Sequence, residues 1–198
     1  MQNTNRVILL LVAIIAGVQI VSGIEGLGTI PIAYYTVSYG IFLISAILMV
    51  LMGVDIIEHP IAALAASMLP LGFSMGLIGE FLLEYHLIYS SLISVLYAGL
   101  TIQKLRKQDK SALLFQILLH GFSGLVLFIL PLVLFIQGEV ESNFLGVSVG
   151  TGLVAIGGMA LAFLKSGKPL LSKDQIYTIF PGVLLLAVVA YSIGIGQG

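Results

Sequence analysis

The chain has 198 residues, of which 59% are hydrophobic and only 9% are charged, and its formal net charge is −1. A soluble domain carries about 25% charged residues, so this composition excludes a soluble protein and indicates an integral membrane protein. Since the chain has no cysteine, disulfide bonds and thiolate metal sites are also excluded, and since it has no tryptophan, we expect its 8 Tyr to serve as interfacial anchors.

The apolar segments predict helices. A bilayer admits only helices or a closed barrel, because backbone polar groups have no water to bind there. The segments are continuous runs of about 17–25 residues, whereas barrel strands alternate over about ten. The prediction is an all-α integral membrane protein, one domain over residues 1–198, with seven transmembrane spans near 7–23, 33–53, 61–82, 86–103, 112–136, 144–164 and 176–196.

Two parts of this prediction have alternative interpretations. The first span follows Arg6 and resembles a signal peptide, but no small-residue cleavage site and polar domain follow it, so we interpret it as a helix. The third and fourth spans are separated only by Glu80, Glu84 and His86, which requires a tight turn. The alternative is a six-helix protein with one re-entrant segment.

The positive charges predict the orientation. If the seven spans are right, all Lys and Arg residues fall on one side: Arg6, Lys104, Arg106, Lys107, Lys110, Lys165, Lys168 and Lys173. In the connections on the other side, the only charged residues are glutamates: Glu25, Glu80, Glu84, Glu139 and Glu141. The positive-inside rule then predicts a cytoplasmic N-terminus and an outer C-terminus at Gly198, in a plasma or inner membrane.

Small and acidic residues recur along the third helix. Gly72, Gly76, Glu80 and Glu84 follow at intervals of four, so a small-residue face that permits close helix packing leads to two carboxylates. With His86 beside them, the carboxylates form a candidate site for a cation or an exchangeable proton. The alternative interpretation is that these residues mark the headgroup level of the membrane.

The fourth and sixth helices carry faces of small or hydroxyl residues. In the fourth helix the face contains Ser90, Ser94, Tyr97 and Thr101, and it is either a packing surface or one wall of a polar path. In the sixth helix the small residues are Gly146, Ser148, Gly150, Gly152, Gly158 and Ala162. Such glycine-rich faces also suit contacts with a second copy or with other membrane subunits. Lipid is the expected surrounding, and nothing indicates a nucleic-acid partner.

The fifth helix places His120 near the middle of the bilayer. Gln116 lies one turn before it and Ser123 about one turn after it, so the three predict a polar stripe. A histidine at this depth must face protein or water, where it could relay a proton, ligate a metal or haem, or bind a substrate. The alternative is a structural hydrogen bond across the bundle to Tyr97, Ser94 or a carbonyl freed by a proline.

No cofactor follows from the three histidines. His59, His86 and His120 belong at three different depths, which excludes the usual haem held by two histidines of one chain. The metal, if any, is likewise unassigned. No catalytic motif is present either, so an intramembrane enzyme is the third choice of function.

A short similarity suggests an internal repeat. Residues 37–40, Val-Ser-Tyr-Gly, align with residues 147–150, Val-Ser-Val-Gly. This register would make helices one to three and five to seven parallel copies joined by the fourth, as in some transporters. Chance similarity among glycine, valine and leucine is the alternative.

The predicted topology resembles that of the third subunit of haem-copper oxidases, which also has seven helices in a subunit of a larger assembly. No family motif surrounds Glu80 or His120, so the resemblance implies no site residues. We expect a small transporter or channel for an ion or small molecule, with a path through His120, Gln116, Glu80, Ser123 and Tyr97 and a further candidate cation site at Glu84 and His86. The alternative is a non-catalytic subunit of a respiratory-type or other membrane complex.

Overall fold

A computed structural model describes residues 3–23, 26–107, 109–165 and 167–195. In these residues the secondary structure is helical throughout, with seven α-helices: α1 Asn3–Ser22, α2 Thr29–Met52, α3 Pro60–Phe81, α4 Leu83–Leu105, α5 Asp109–Gln137, α6 Gly146–Lys165 and α7 Lys173–Ile195. All seven are long and apolar enough to cross a membrane, as predicted. Glu25, which was assigned to an outer connection, and the C-terminal residues 196–198 lie outside the described residues.

Most helices begin about one turn earlier than the apolar runs predicted. Polar first turns still form helix when their free N–H groups are capped. At the start of α7 the Ser172 hydroxyl accepts from the Gln175 N–H at 3.2 Å, and the Gln175 side chain accepts from the Ser172 N–H at 2.9 Å. This reciprocal capping box extends the helix beyond its apolar segment. Two short 3-10 helices, Val54–Glu58 and Ser142–Leu145, were not predicted.

The third and fourth helices are separate, as the seven-helix prediction required. Leu82 alone joins them, with a non-helical φ of −134° and ψ of 48°. The chain reverses direction at this turn. The contact between the two helices shows it: the Tyr97 hydroxyl of α4 donates to the Leu64 carbonyl near the start of α3, at 3.4 Å. The tight turn therefore lies where Glu80, Glu84 and His86 interrupt the apolar sequence.

The two ends of the bundle differ in charge. The helices α1, α3, α5 and α7 begin at the same end of the bundle, which we call the basic end. It carries Arg6, Lys104, Arg106, Lys107, Lys110 and Lys173. The opposite end, the acidic end, carries Glu80, Glu84, Glu139 and Glu141. These names describe the bundle alone and imply no side of a membrane.

Six helices form a closed ring in the order α1, α2, α3, α5, α6, α7, and α7 packs back on α1. The remaining helix, α4, lies outside the ring against α3 and α5. In this order each of α1, α2 and α3 lies three positions from α5, α6 and α7, respectively, and the internal repeat itself stays a prediction. The side-chain bonds do not repeat, since Ser38 donates to the Leu69 carbonyl of α3 but Ser148 donates to the Phe128 carbonyl of α5.

Aromatic side chains fill the centre of the ring. Tyr35, Tyr39 and Phe42 of α2 surround Phe73 of α3, and Tyr191 of α7 stacks on Phe73, all with 1% exposure or less. The prediction that the tyrosines are interfacial anchors is therefore wrong for Tyr35, Tyr39 and Tyr191. Their rings pack between helices because the hydroxyls have polar neighbours inside the bundle.

The glycine-rich faces are used within the chain. A side chain at Gly72 would meet the Ser38 side chain and the Tyr34 carbonyl oxygen of α2, and one at Gly76 would meet the Tyr35 ring. On the other side of the ring, Gly146 lies against the Ala190 carbonyl oxygen of α7. These glycines permit close contacts of α3 with α2 and of α6 with α7.

Candidate functional site

Glu80 pairs with a tyrosine of the neighbouring helix. The Tyr35 hydroxyl donates to the Glu80 Oε2 at 2.6 Å, and this bond joins α2 to the last turn of α3. Glu80 is half-buried, whereas the Tyr35 ring is fully buried. The predicted candidate at position 80 thus reaches into the bundle, and its partner was not foreseen.

Glu84 and His86 have different surroundings near Glu80, and the His86 ring lies against Gly79. Glu84 is exposed at the start of α4. The His86 ring packs against the Tyr34 ring, with centroids 5.5 Å apart, and its Nε2 is buried without a protein hydrogen-bond partner. Among the described residues, no group of three His, Asp or Glu side chains could hold a metal ion.

His120 lies on the outer surface of the bundle. Its side chain is exposed, and its Nδ1 lies 2.9 Å from the Gln116 carbonyl oxygen of the preceding turn. The cross-bundle bond to Tyr97 or Ser94, which was the structural alternative, is not formed, since Tyr97 donates to Leu64. The structure brings His120 close to Gln116 but not to Glu80.

The rest of the predicted stripe on α5 divides between two environments. Gln116 is half-buried, whereas Ser123 is fully buried and donates to the Leu119 carbonyl of its own helix at 2.7 Å. Ser123 is turned by about 60° around the helix from His120, because each residue advances about 100°. Ser123 therefore faces the bundle while His120 faces outward.

A cluster of hydroxyl groups lies inside the ring, in the half nearer the acidic end. The Tyr191 hydroxyl and the Thr151 hydroxyl are 2.9 Å apart, and Thr151 also donates to the Val147 carbonyl at 2.7 Å. The Tyr39 and Ser192 hydroxyls are buried and face each other across the helices, but they do not form a hydrogen bond of full geometry. We call Tyr39, Thr151, Tyr191 and Ser192 the hydroxyl cluster.

The hydroxyl cluster has unused hydrogen-bonding capacity. Most buried polar groups in proteins have a well-formed hydrogen bond. The Tyr39 and Ser192 hydroxyls therefore retain donor or acceptor capacity beyond the weak contact that they make with each other. A hydroxyl both donates and accepts, so the pair suits water, a hydroxylated solute or a weakly hydrated cation. Tyr39 belongs to α2 and the other three residues to α6 and α7, so the cluster lies between the two three-helix units.

A second polar group joins three elements at the basic end. The Lys173 ammonium lies 3.0 Å from the Glu58 carboxylate, and the Tyr177 hydroxyl donates to the same carboxylate at 2.5 Å. The buried Asn5 of α1 donates to the Tyr177 carbonyl at 3.5 Å. An open groove of about 560 Å³ adjoins them. His59 caps α3 by accepting from the Ile61 N–H.

Sequence reasoning missed the hydroxyl cluster and the Tyr35 partner of Glu80. A signal was present, since Tyr35 and Tyr39 are four residues apart in a helix interior, and Tyr191 and Ser192 are adjacent in another. Four-residue spacing predicts a shared face, but it does not tell which helices meet at that face.

Comparison with known proteins assigns no family. No protein-family model matches the chain, and no curated protein or solved structure is significantly similar to it. The similarity to the third subunit of haem-copper oxidases is therefore one of helix number and predicted topology only.

Proposed function

We propose that the chain is a multi-pass protein of a plasma or inner membrane, with its basic end in the cytoplasm. Seven helices of sufficient length and apolarity support insertion. The basic residues at one end support the orientation, since such residues concentrate on the cytoplasmic side.

We propose further that the protein is a small transporter for an ion or a small polar molecule. The observation that carries the proposal is the hydroxyl cluster between the units α1–α3 and α5–α7, in which the buried Tyr39 and Ser192 hydroxyls make no hydrogen bond of full geometry. Transporters built from two related units bind their substrate at the interface of the units, at about mid-membrane depth. The cluster likewise lies between two three-helix units, although it is nearer the acidic end than the middle of the bundle.

The proposed path differs at the two ends of the bundle. Towards the acidic end, the Tyr35–Glu80 pair supplies a charged group that can attract a cation or a polar solute. Towards the basic end, Phe42, Ala46 and Met49 of α2 pack against Leu9 and Val12 of α1, all nearly inaccessible. This apolar layer closes the path between the hydroxyl cluster and the basic end of the bundle. Transport therefore requires the two units to move apart at this layer.

The transport test uses purified protein in liposomes, with labelled Na⁺, labelled K⁺, a labelled monosaccharide and a pH-sensitive dye as probes. We expect flux of at least one probe above protein-free liposomes, and a loss of about tenfold or more in the double variant Tyr39→Phe, Ser192→Ala. The variant should fold, because removing buried hydroxyls that make no hydrogen bond of full geometry is nearly neutral for stability.

The matched control is Tyr85→Phe, Ser94→Ala, which removes the same atoms from exposed positions on α4. Its flux should equal that of the wild type. Transport by the Tyr39→Phe, Ser192→Ala protein at the wild-type rate, or no flux of any probe, contradicts the proposal.

A second function, as a subunit of a larger membrane complex, is favoured by the small share of the chain that lies outside the seven helices. A chain with so little mass outside the membrane is suited to act together with other subunits. Gentle solubilisation from the native membrane should then co-purify a fixed partner in constant ratio. A lone chain that transports at full rate contradicts this alternative.

A further inference from the structure

The hydrogen bond of His120 assigns its tautomer. The Gln116 carbonyl oxygen can only accept, so the His120 Nδ1, 2.9 Å away, carries the proton. In the neutral ring the other nitrogen, Nε2, then has a lone pair and acts only as an acceptor. Because the side chain is exposed on the outside of the bundle, that lone pair needs a donor from outside the chain.

Lipid does not supply such a donor at this position. His120 lies about 17 Å from the start of a helix that is about 43 Å long, well inside the apolar segment. The neighbouring exposed side chains are Leu113, Ile117 and Phe122, which are all apolar. A hydrocarbon environment leaves the acceptor without a partner, and this is unfavourable.

The surface around His120 allows another helix to come close. Gly121 follows it and Gly124 lies one turn further, and a side chain built at either would meet no atom within 4 Å. Within the chain, therefore, neither glycine serves a helix contact, unlike Gly72 and Gly146. Small residues of this kind let the backbones of two membrane helices approach.

The same surface also contains the donor that His120 lacks. Gln116 lies one turn towards the basic end, and its side-chain amide has two N–H donors. One α5 helix thus presents an acceptor and a donor four residues apart. In a pair of parallel helices related by a two-fold axis, a residue and its neighbour one turn away meet reciprocally.

We infer that two copies of this chain associate through α5, with the Gln116 amide of each copy donating to the His120 Nε2 of the other. Gly121 and Gly124 allow the close approach of the two helices. The inference commits to a second copy because the two polar groups complement each other without a different protein. It does not depend on the transport proposal, since neither residue belongs to the hydroxyl cluster.

The absence of native cysteine permits a specific cross-linking test. The full-length chain with Gly121→Cys is reconstituted in liposomes and oxidised with copper phenanthroline, and covalent dimer is measured on a denaturing gel. The matched control is Ile14→Cys, an exposed position at similar depth on α1, on the far side of the ring. We expect a dimer band for Gly121→Cys and only collisional background for Ile14→Cys.

The hydrogen bonds are tested separately from the surface. Fluorescence energy transfer between labelled copies in liposomes gives the association constant, which should fall about tenfold in Gln116→Leu and in His120→Leu. Both changes replace a polar side chain by an apolar one on the outer side of α5, and thermal unfolding verifies that the fold is intact. Equal cross-linking at positions 14 and 121, a monomer at all protein densities, or association unchanged by both substitutions overturns the inference.

Discussion

The ring of Phe73 on α3 stacks on the ring of Tyr191 on α7, with centroids 4.3 Å apart and planes inclined by 10°. The two helices are not neighbours in the ring order, so this contact crosses the centre of the bundle. It joins the unit α1–α3 to the unit α5–α7 directly beside the hydroxyl cluster. The packing of the centre and the candidate site therefore share a residue, Tyr191.

Phe73→Ala should destabilise the protein by about 3–5 kcal/mol, because it leaves a cavity at the meeting point of four aromatic rings. Thermal or denaturant unfolding in detergent measures the change. The exposed Phe122→Ala on α5 is the control and should change stability much less. Similar losses for both variants would show that the centre is not closely packed.

Gly72→Ala should destabilise by about 1–3 kcal/mol, because the new methyl group would meet the Ser38 side chain and the Tyr34 carbonyl oxygen. Gly17→Ala is the control, since a side chain there meets no atom within 4 Å and alanine favours helix. Gly17→Ala should be neutral or stabilising. If Gly72→Ala is equally harmless, α2 and α3 do not approach as closely as described.

Tyr35→Phe should cost about 1–3 kcal/mol, because the half-buried Glu80 carboxylate loses its hydroxyl donor. In a double-mutant cycle, Glu80→Met and Tyr35→Phe should couple, since each substitution removes one partner of the same hydrogen bond. Unfolding free energies of the four proteins give the coupling energy. Additive effects would mean that the bond does not contribute to stability.

The orientation is tested with two single cysteines at exposed serines. Ser111→Cys lies at the basic end and Ser142→Cys at the acidic end, and both keep all the charges of the chain. A membrane-impermeant thiol reagent should label Ser142→Cys in intact cells and Ser111→Cys only after permeabilisation. The reverse pattern would place the basic end outside and would reverse the direction of the proposed path.

The amino-acid sequence by itself determined the fold class, the number of helices and the position of the α3–α4 turn. These properties depend on the length and apolarity of local segments, because each helix satisfies its own backbone hydrogen bonds. The ends of the helices were less well predicted, since capping residues such as Ser172 extend a helix beyond its apolar run.

Only the tertiary structure decided which polar residues face one another. Helical spacing placed Gln116, His120 and Ser123 about one turn apart along α5, but it did not tell which side of α5 meets the bundle. For an apolar helix, both the lipid-facing and the buried faces are hydrophobic, so the sequence pattern distinguishes them poorly. Packing placed His120 outside and joined Tyr39 to Ser192, which are far apart in the chain, in the hydroxyl cluster.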